Sequence, residues 1–148
     1  MKKVSKTLSL LALCAVMIIM SVVPAFASTT YVEDHSKIDC VHRYKGNDGY
    51  FYFEIKIPKD IKKIYINVAF TKNSEGDEIY RTIIEALHDD MTFLYSDETS
   101  EYYLLKTHNI FPEGIGIKLY CNYNGTYYMA TDNGNGQTKE GRGYWLSA

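Results

Sequence analysis

The chain has 148 residues, of which 46% are hydrophobic and 14% aromatic, and it carries a formal net charge of −2. This length suits one compact domain with a modest core and not two. The slight acidity argues against nucleic acid or an anionic membrane as the main partner, because both attract basic surfaces.

The amino-terminal residues have the pattern of a secretion signal. Three lysines precede an uninterrupted apolar run over residues 10–20, and an Ala-Phe-Ala motif ends at Ala27. An uncleaved anchor is the alternative, but the apolar run is short for crossing a bilayer. We therefore predict a signal peptide over residues 1–27 and a single secreted, extracellular domain over residues 28–148, with no membrane contact after cleavage.

The predicted mature domain has 121 residues (148 − 27), and its net charge is −5, because it keeps all 18 acidic residues and 13 of the 16 basic ones. It also keeps two cysteines, Cys40 and Cys121, an even number in an oxidising compartment. We predict that they form one disulfide, which would stabilise the fold by roughly 4 to 5 kcal/mol. Two cysteines without a Cys-x-x-Cys pair are poor zinc ligands, so we predict no metal site there.

Short runs that alternate apolar and polar residues begin soon after the predicted cleavage point and indicate half-buried strands. The first run, residues 38–44, would turn His42 toward the core. The second and third runs cover residues 50–57 and 64–71. Their apolar sets are Phe51, Phe53, Ile55 and Ile57, and then Ile64, Ile66, Val68 and Phe70.

The link at residues 58–61 joins the second and third runs and contains a proline and an aspartate. If this link is a hairpin loop, the register pairs Ile55 with Ile64. The same register brings Tyr52 diagonal to Tyr65 on the outward face, within aromatic reach.

The next segment, residues 78–87, fits either a helical face or a strand, and its isoleucines and threonine favour a strand. The runs MTFLY and YYLLKT follow, each bracketed by turn residues. Residues 115–123 then alternate cleanly into Asn124-Gly125, a strong hairpin signal. We predict an all-β fold in which about eight strands form an antiparallel sandwich of two sheets.

Residues 104–121, LLKTHNIFPEGIGIKLYC, resemble the corner of an immunoglobulin-like domain, where a Pro-Glu turn leads into a strand that ends in Tyr-Cys. Cys40 would be the partner cysteine on the early strand. The sequence departs from that pattern because no tryptophan follows Cys40 at the expected distance, and Leu119 stands where the corner tyrosine belongs. The resemblance implies an immunoglobulin-like β-sandwich, and a shared fold does not by itself imply a function.

Residues that carry out chemistry are hard to find in this sequence. Residues 131–142 are similar to a calcium-binding loop, but Arg142 stands where the last carboxylate ligand belongs. No nucleophile elbow is present, and His42 would be a core residue. We therefore predict no catalytic residue, no cofactor and no metal.

Tyrosine is abundant, and all 14 tyrosines lie in the predicted mature domain. Flat rings beside amides or a carboxylate suit stacking on a sugar or on apolar protein side chains. The alternative is that the tyrosines only stabilise the strands on which they lie. The predicted ligand-binding residues are Tyr50, Tyr52, Glu54, Tyr65 and Asn67 from one sheet and Tyr120, Asn122 and Tyr127 from the other.

Three functions are compatible with these features. The leading hypothesis is a non-enzymatic binding module for an extracellular glycan or protein. The second is an inhibitor of an extracellular hydrolase that presents one rigid loop. The third is a small secreted hydrolase, which would need two carboxylates brought together in a cleft.

Overall fold

Strands make up most of the described part of the protein. The computed structural model describes residues 30–107, 111–132 and 142–148, so the predicted signal peptide and most of the calcium-like loop lie outside the described residues. Within these ranges no helix is long and apolar enough to cross a membrane. The strands, in chain order, are β1 Val32–Glu33, β2 Asp39–Lys45, β3 Phe51–Pro58, β4 Lys63–Lys72, β5 Glu78–Leu87, β6 Thr92–Ser96, β7 Ser100–Lys106, β8 Gly114–Tyr123, β9 Thr126–Ala130 and β10 Tyr144–Ser147, with one 3₁₀ turn at His88–Asp90 between β5 and β6.

The strands form two sheets, which we call the large and the small sheet. The large sheet has six strands in the order β1-β9-β8-β4-β5, with β10 added beside β8, and the small sheet has four in the order β2-β3-β7-β6. The predictions of an all-β, two-sheet fold and of a strand over residues 78–87 are confirmed. The antiparallel prediction is wrong at one place, because the two-residue strand β1 runs parallel to β9.

The core lies between the sheets. Alternate residues of β3, in the small sheet, and of β4, in the large sheet, are buried in one hydrophobic cluster, as the alternation predicts. Phe70, near the end of β4, is only partly buried and stacks on Phe111 with ring centroids 5.0 Å apart. A shared core between two sheets is the arrangement of a sandwich.

The predicted hairpin between β3 and β4 is wrong. β3 pairs with β2 and β7, whereas β4 pairs with β5 and β8, so residues 58–61 carry the chain from one sheet to the other. Ile55 consequently lies beside Cys40 and Tyr103, and not beside Ile64. Alternation of apolar and polar residues identifies which residues of a strand face the core. The same alternation occurs in two strands that are neighbours in one sheet and in two strands that face each other across the core, so it does not predict which strands pair.

A β-bulge in β2 reverses the predicted orientation of His42. Cys40 pairs with Ile55, but His42 pairs with Glu54, which means that one extra residue lies between the two pairs. The extra residue turns His42 onto the exposed face of the small sheet. The prediction of a core histidine is therefore wrong.

The predicted hairpin at Asn124-Gly125 is present between β8 and β9. Both residues have positive φ angles, 51° for Asn124 and 80° for Gly125, as a tight two-residue turn requires. The Gly125 N–H donates to the Asn122 side-chain oxygen at 3.2 Å. This turn sets the register in which Asn122 lies opposite Tyr127.

The predicted disulfide is not formed, because Cys40 and Cys121 are both free, buried thiols. Cys40 lies on β2, at the edge of the small sheet, and its Sγ lies 3.4 Å from the carbonyl oxygen of His42. Cys121 lies on β8, inside the large sheet. Burial raises the pKa of Cys40 to about 12 and that of Cys121 to about 11. The reactive thiolate forms are therefore scarce at neutral pH.

Candidate ligand-binding site

A pocket of about 400 Å³ opens on the outer face of the large sheet. This volume is in the range of small-molecule sites, about 300 to 1,000 Å³. Five of the eight predicted ligand-binding residues line it. We call it the tyrosine pocket, and it is lined by Tyr31, Tyr65, Asn67, Ile83, Tyr120, Cys121, Asn122 and Tyr127.

Strand register brings the five predicted residues together. Tyr65 on β4 lies directly opposite Tyr120 on β8, and Asn122 on β8 lies directly opposite Tyr127 on β9. Asn67 follows Tyr65 two residues later and therefore faces the same side of the sheet. Three adjacent strands thus present alternating rings and amides on one surface.

Tyr31 closes one side of the pocket and was not predicted. Its ring meets the Tyr120 ring edge to face, with centroids 4.9 Å apart and planes at 69°, and it meets the Tyr127 ring at 5.9 Å and 74°. Contacts of this geometry stabilise a ring arrangement by about 0.5 to 1.5 kcal/mol each. Tyr31 precedes the short strand β1 and belongs to no alternating run, so periodicity does not reveal it. The other two lining residues that were not predicted to bind a ligand are Ile83 on β5 and Cys121 on β8.

A polar cluster holds the segment that carries Tyr31. His35 Nδ1 lies 2.9 Å from Asp39 Oδ1, and His35 Nε2 lies 3.3 Å from Glu33 Oε1. The Tyr144 hydroxyl donates to Asp39 at 2.6 Å, and the Thr131 hydroxyl donates to Glu33. Burial lowers the pKa of His35, but the hydrogen bonds and charges of Asp39 and Glu33 outweigh burial and raise it above its usual value of 6.5. The charged form of His35 therefore strengthens this anchor.

A second pocket of about 330 Å³ adjoins the tyrosine pocket and shares Tyr65 and Asn122 with it. Its mouth is more polar, since Lys63 Nζ lies 2.6 Å from Glu85 and 5.5 Å from the centroid of the Tyr65 ring. We call the two pockets together, which share Tyr65 and Asn122 in their linings, the groove. The second pocket is lined by Asp60, Ile61, Lys62, Lys63, Tyr65, Asn122, Tyr123 and Asn124.

The three remaining predicted residues belong to the other sheet. Tyr50 precedes β3, and Tyr52 and Glu54 lie on the outward face of β3 in the small sheet. The ring next to Tyr52 is that of Tyr44, stacked at 5.0 Å with planes 10° apart, and not that of Tyr65. The predicted pairing of Tyr52 with Tyr65 is wrong, because β3 and β4 are in different sheets.

Side chains on the small sheet are engaged with one another. The Tyr52 hydroxyl donates to Asp48 at 2.6 Å, and Lys106 Nζ lies 3.1 Å from the same carboxylate. The Tyr95 hydroxyl donates to Glu54 at 2.8 Å. These contacts hold Tyr52 and Glu54 to neighbouring side chains of the small sheet.

No protein-family model matches the chain, and no curated protein matches it. In the part of the chain that the structure describes, no group of three or more His, Cys, Asp or Glu side chains is placed to hold a metal ion. The function is therefore inferred from the pocket.

Proposed function

We propose that the protein is a secreted, non-enzymatic binding module that holds a neutral glycan chain in the tyrosine pocket. The observation that carries this proposal is the lining of the pocket, which presents four tyrosine rings and two side-chain amides. Aromatic rings offer flat apolar surfaces on which sugar rings stack, and amides both donate and accept the hydrogen bonds that sugar hydroxyls make. A concave, mostly apolar site with a few polar groups is typical of ligand binding.

The charge of the lining favours an uncharged ligand. None of the eight lining residues is acidic or basic. An ionised sugar would lose water on entering the pocket without gaining an opposite charge, which is costly. Sugar hydroxyls can instead bond to Asn67 and Asn122.

The groove favours an oligosaccharide over a single sugar. Tyr65 and Asn122 line both pockets, so a ligand that fills the tyrosine pocket can extend into the second one without leaving the surface. Each further sugar unit would then add contact area. Affinity should therefore rise with chain length until both pockets are filled.

The strand order supports an immunoglobulin-like fold for this module. The small-sheet order β2-β3-β7-β6 corresponds to the order A-B-E-D of such domains, and β5-β4-β8-β9 corresponds to C′-C-F-G. In these domains the disulfide joins strands B and F, which correspond to β3 and β8. Cys40 lies on β2, one strand away from the B position, which accounts for its free thiol.

A binding panel tests the proposed function. Neutral cello-, xylo-, manno- and chito-oligosaccharides, from disaccharide to hexasaccharide, are titrated calorimetrically beside charged uronic-acid oligomers. We expect one neutral series to bind with an affinity that increases with length. Capture of a secreted hydrolase without any glycan binding would support the inhibitor instead, and release of shortened products would support a hydrolase.

Export is part of the proposal and has its own test. The Ala-Phe-Ala motif that ends at Ala27 leads us to propose that the mature protein begins at Ser28. The intact mass of protein recovered from the culture medium checks this start. A species that retains residues 1–27 would contradict it.

A further inference from the structure

The backbone holds the segment that carries Tyr31 at only a few points. The strand β1 that follows Tyr31 is two residues long, both exposed, and among the described strands it pairs with β9 alone. One further backbone bond runs from the Asp34 N–H to the Met129 carbonyl oxygen at 3.3 Å. A segment with so few ladder bonds opens easily. The position of Tyr31 therefore depends on the side chains that fix the residues beside it.

His35 has a carboxylate at each of its ring nitrogens. Asp39 Oδ1 lies 2.9 Å from Nδ1, and Glu33 Oε1 lies 3.3 Å from Nε2. In the charged ring both nitrogens carry protons, so both contacts are charge-assisted hydrogen bonds. In the neutral ring one nitrogen has no proton and presents a lone pair to a carboxylate oxygen. Loss of the proton thus replaces one attractive contact by a repulsive one.

Two hydroxyls of this polar cluster already donate to the same carboxylates. The Thr131 hydroxyl donates to Glu33. The Tyr144 hydroxyl oxygen lies 3.3 Å from Nδ1 of His35, but it donates its only proton to Asp39 at 2.6 Å. Burial raises the pKa of Tyr144 above its usual value of 10, so this group stays neutral while His35 titrates. The hydroxyls therefore do not replace the proton that His35 loses.

The other charges around His35 favour its charged form. The pKa of Asp34 is lowered, chiefly by the hydrogen bond from the Ser36 side chain, so this neighbour of His35 stays ionised. Burial lowers the pKa of His35, but the neighbouring carboxylates outweigh burial and raise it above 6.5. Two cations of this region have partners of their own, which are Asp132 at 2.6 Å for Arg43 and the Tyr123 ring at 5.6 Å for Lys37.

The ring of Tyr31 links this cluster to the tyrosine pocket. Tyr31 lies two residues before Glu33, and its ring meets those of Tyr120 and Tyr127 edge to face. A wall that is already in place needs no ordering when a ligand arrives, which increases affinity. When His35 loses its proton, Thr131 still holds Glu33, so the segment is loosened and not released.

We propose that His35 is a positioning residue of the tyrosine pocket, whose charged form holds Tyr31 in place and thereby tightens glycan binding. This inference rests on the proposed glycan function, since the pocket must bind the glycan for Tyr31 to affect it. The protein would bind its glycan more tightly in mildly acidic than in mildly alkaline medium. Because coupling between two sites is reciprocal, a bound glycan should raise the pKa of His35.

A ligand-free titration tests the link between His35 and Tyr31. Nuclear magnetic resonance follows the His35 Cε1 signal and the Tyr31 ring signals between about pH 5 and pH 9, where a histidine titrates. We expect both sets of signals to change with the same midpoint. Asp39→Asn should lower that midpoint for both, because it removes one negative neighbour. His42→Gln is the matched control, because it removes an exposed histidine from the small sheet and should leave the Tyr31 titration unchanged.

Calorimetry with the four neutral hexasaccharides of the binding panel tests the effect on the ligand. The affinity of the hexasaccharide that binds should fall about fivefold or more as His35 loses its proton, the lower end of common coupling between sites. His35→Gln should remove this pH dependence. Tyr31→Ala should weaken binding at low pH and also remove the pH dependence, although its His35 still titrates. Circular dichroism verifies that each variant is folded.

The failure of this proposal differs from the failure of the proposed function. Hexasaccharide binding that is equally tight at every pH, or that strengthens as the pH rises, would overturn the role of His35 and leave the glycan function standing. A folded His35→Gln variant that keeps the pH dependence would do the same, as would Tyr31 signals that do not follow His35. Absence of hexasaccharide binding at every pH would overturn the glycan function, and the proposal with it.

Discussion

Truncation of Phe53 tests whether the inner face of the small sheet is core. Phe53 lies on β3, between β2 and β7, where it pairs with Arg43 and Leu105 and has no exposed surface. Phe53→Ala removes the ring and leaves a cavity between the sheets. The strands around it are fixed by ladder bonds on both sides, so the cavity can close only partly.

The expected loss follows from this burial. Replacing a fully buried phenylalanine by alanine costs about 3 to 5 kcal/mol in free energy of unfolding. Single domains have only about 5 to 15 kcal/mol of stability, so the loss is about a fifth of the total or more. The melting temperature should fall by roughly 10 to 20 °C.

Urea unfolding followed by the fluorescence of Trp145, the only tryptophan in the chain, measures this loss. Tyr52→Ala is the matched control, because it removes the neighbouring ring from the outward face of the same strand. We expect a clearly smaller loss of stability for the control. Equal losses for the two variants would refute the assignment of faces on β3, and with it the sandwich core.

Three further predictions concern the pocket, the thiols and the pH dependence. Tyr65→Ala should weaken glycan binding about 30-fold, which corresponds to the loss of roughly 2 kcal/mol at a central contact. Tyr52→Ala, on the opposite sheet, should leave glycan binding unchanged. Calorimetry compares the two variants, and equal losses of affinity would contradict the proposal that the glycan binds in the tyrosine pocket. Cys40 and Cys121 should resist iodoacetamide in the folded protein, and both should react with it after denaturation without reductant. Mass spectrometry counts the alkylated cysteines. If neither cysteine is alkylated in denaturant, the two form a disulfide. His35→Gln should cost the most stability below about pH 6.5, because the pKa of His35 is raised in the folded state. The stabilisation from charged His35 is fully present below the unfolded-state pKa and is lost as the pH rises through the folded-state pKa. Urea melts of both proteins at pH 6 and pH 8 measure the difference in stability, which should be smaller at pH 8.

Local signals in the sequence were enough to identify eight of the ten described strands and most of the core, whereas the short strands β1 and β10 were not predicted. The alternation in residues 50–57 and 64–71 marks the faces that are buried in the structure, and Asn124-Gly125 marks a hairpin that is present. Side-chain period and turn chemistry depend on residues close together in the chain. Tyr120, Asn122 and Tyr127 could be placed together for that reason, since one tight turn sets their register.

Tertiary structure alone decided which strands are neighbours. The link at residues 58–61 is compatible with a hairpin, yet it crosses between sheets, which separates Tyr52 from Tyr65 and brings Tyr65 beside Tyr120. The bulge that turns His42 outward is likewise invisible to alternation, because one extra residue changes the face without changing the pattern before it. Strand pairing depends on the partners available across the whole chain, and the tyrosine pocket exists only because β4, β8 and β9 meet in that order.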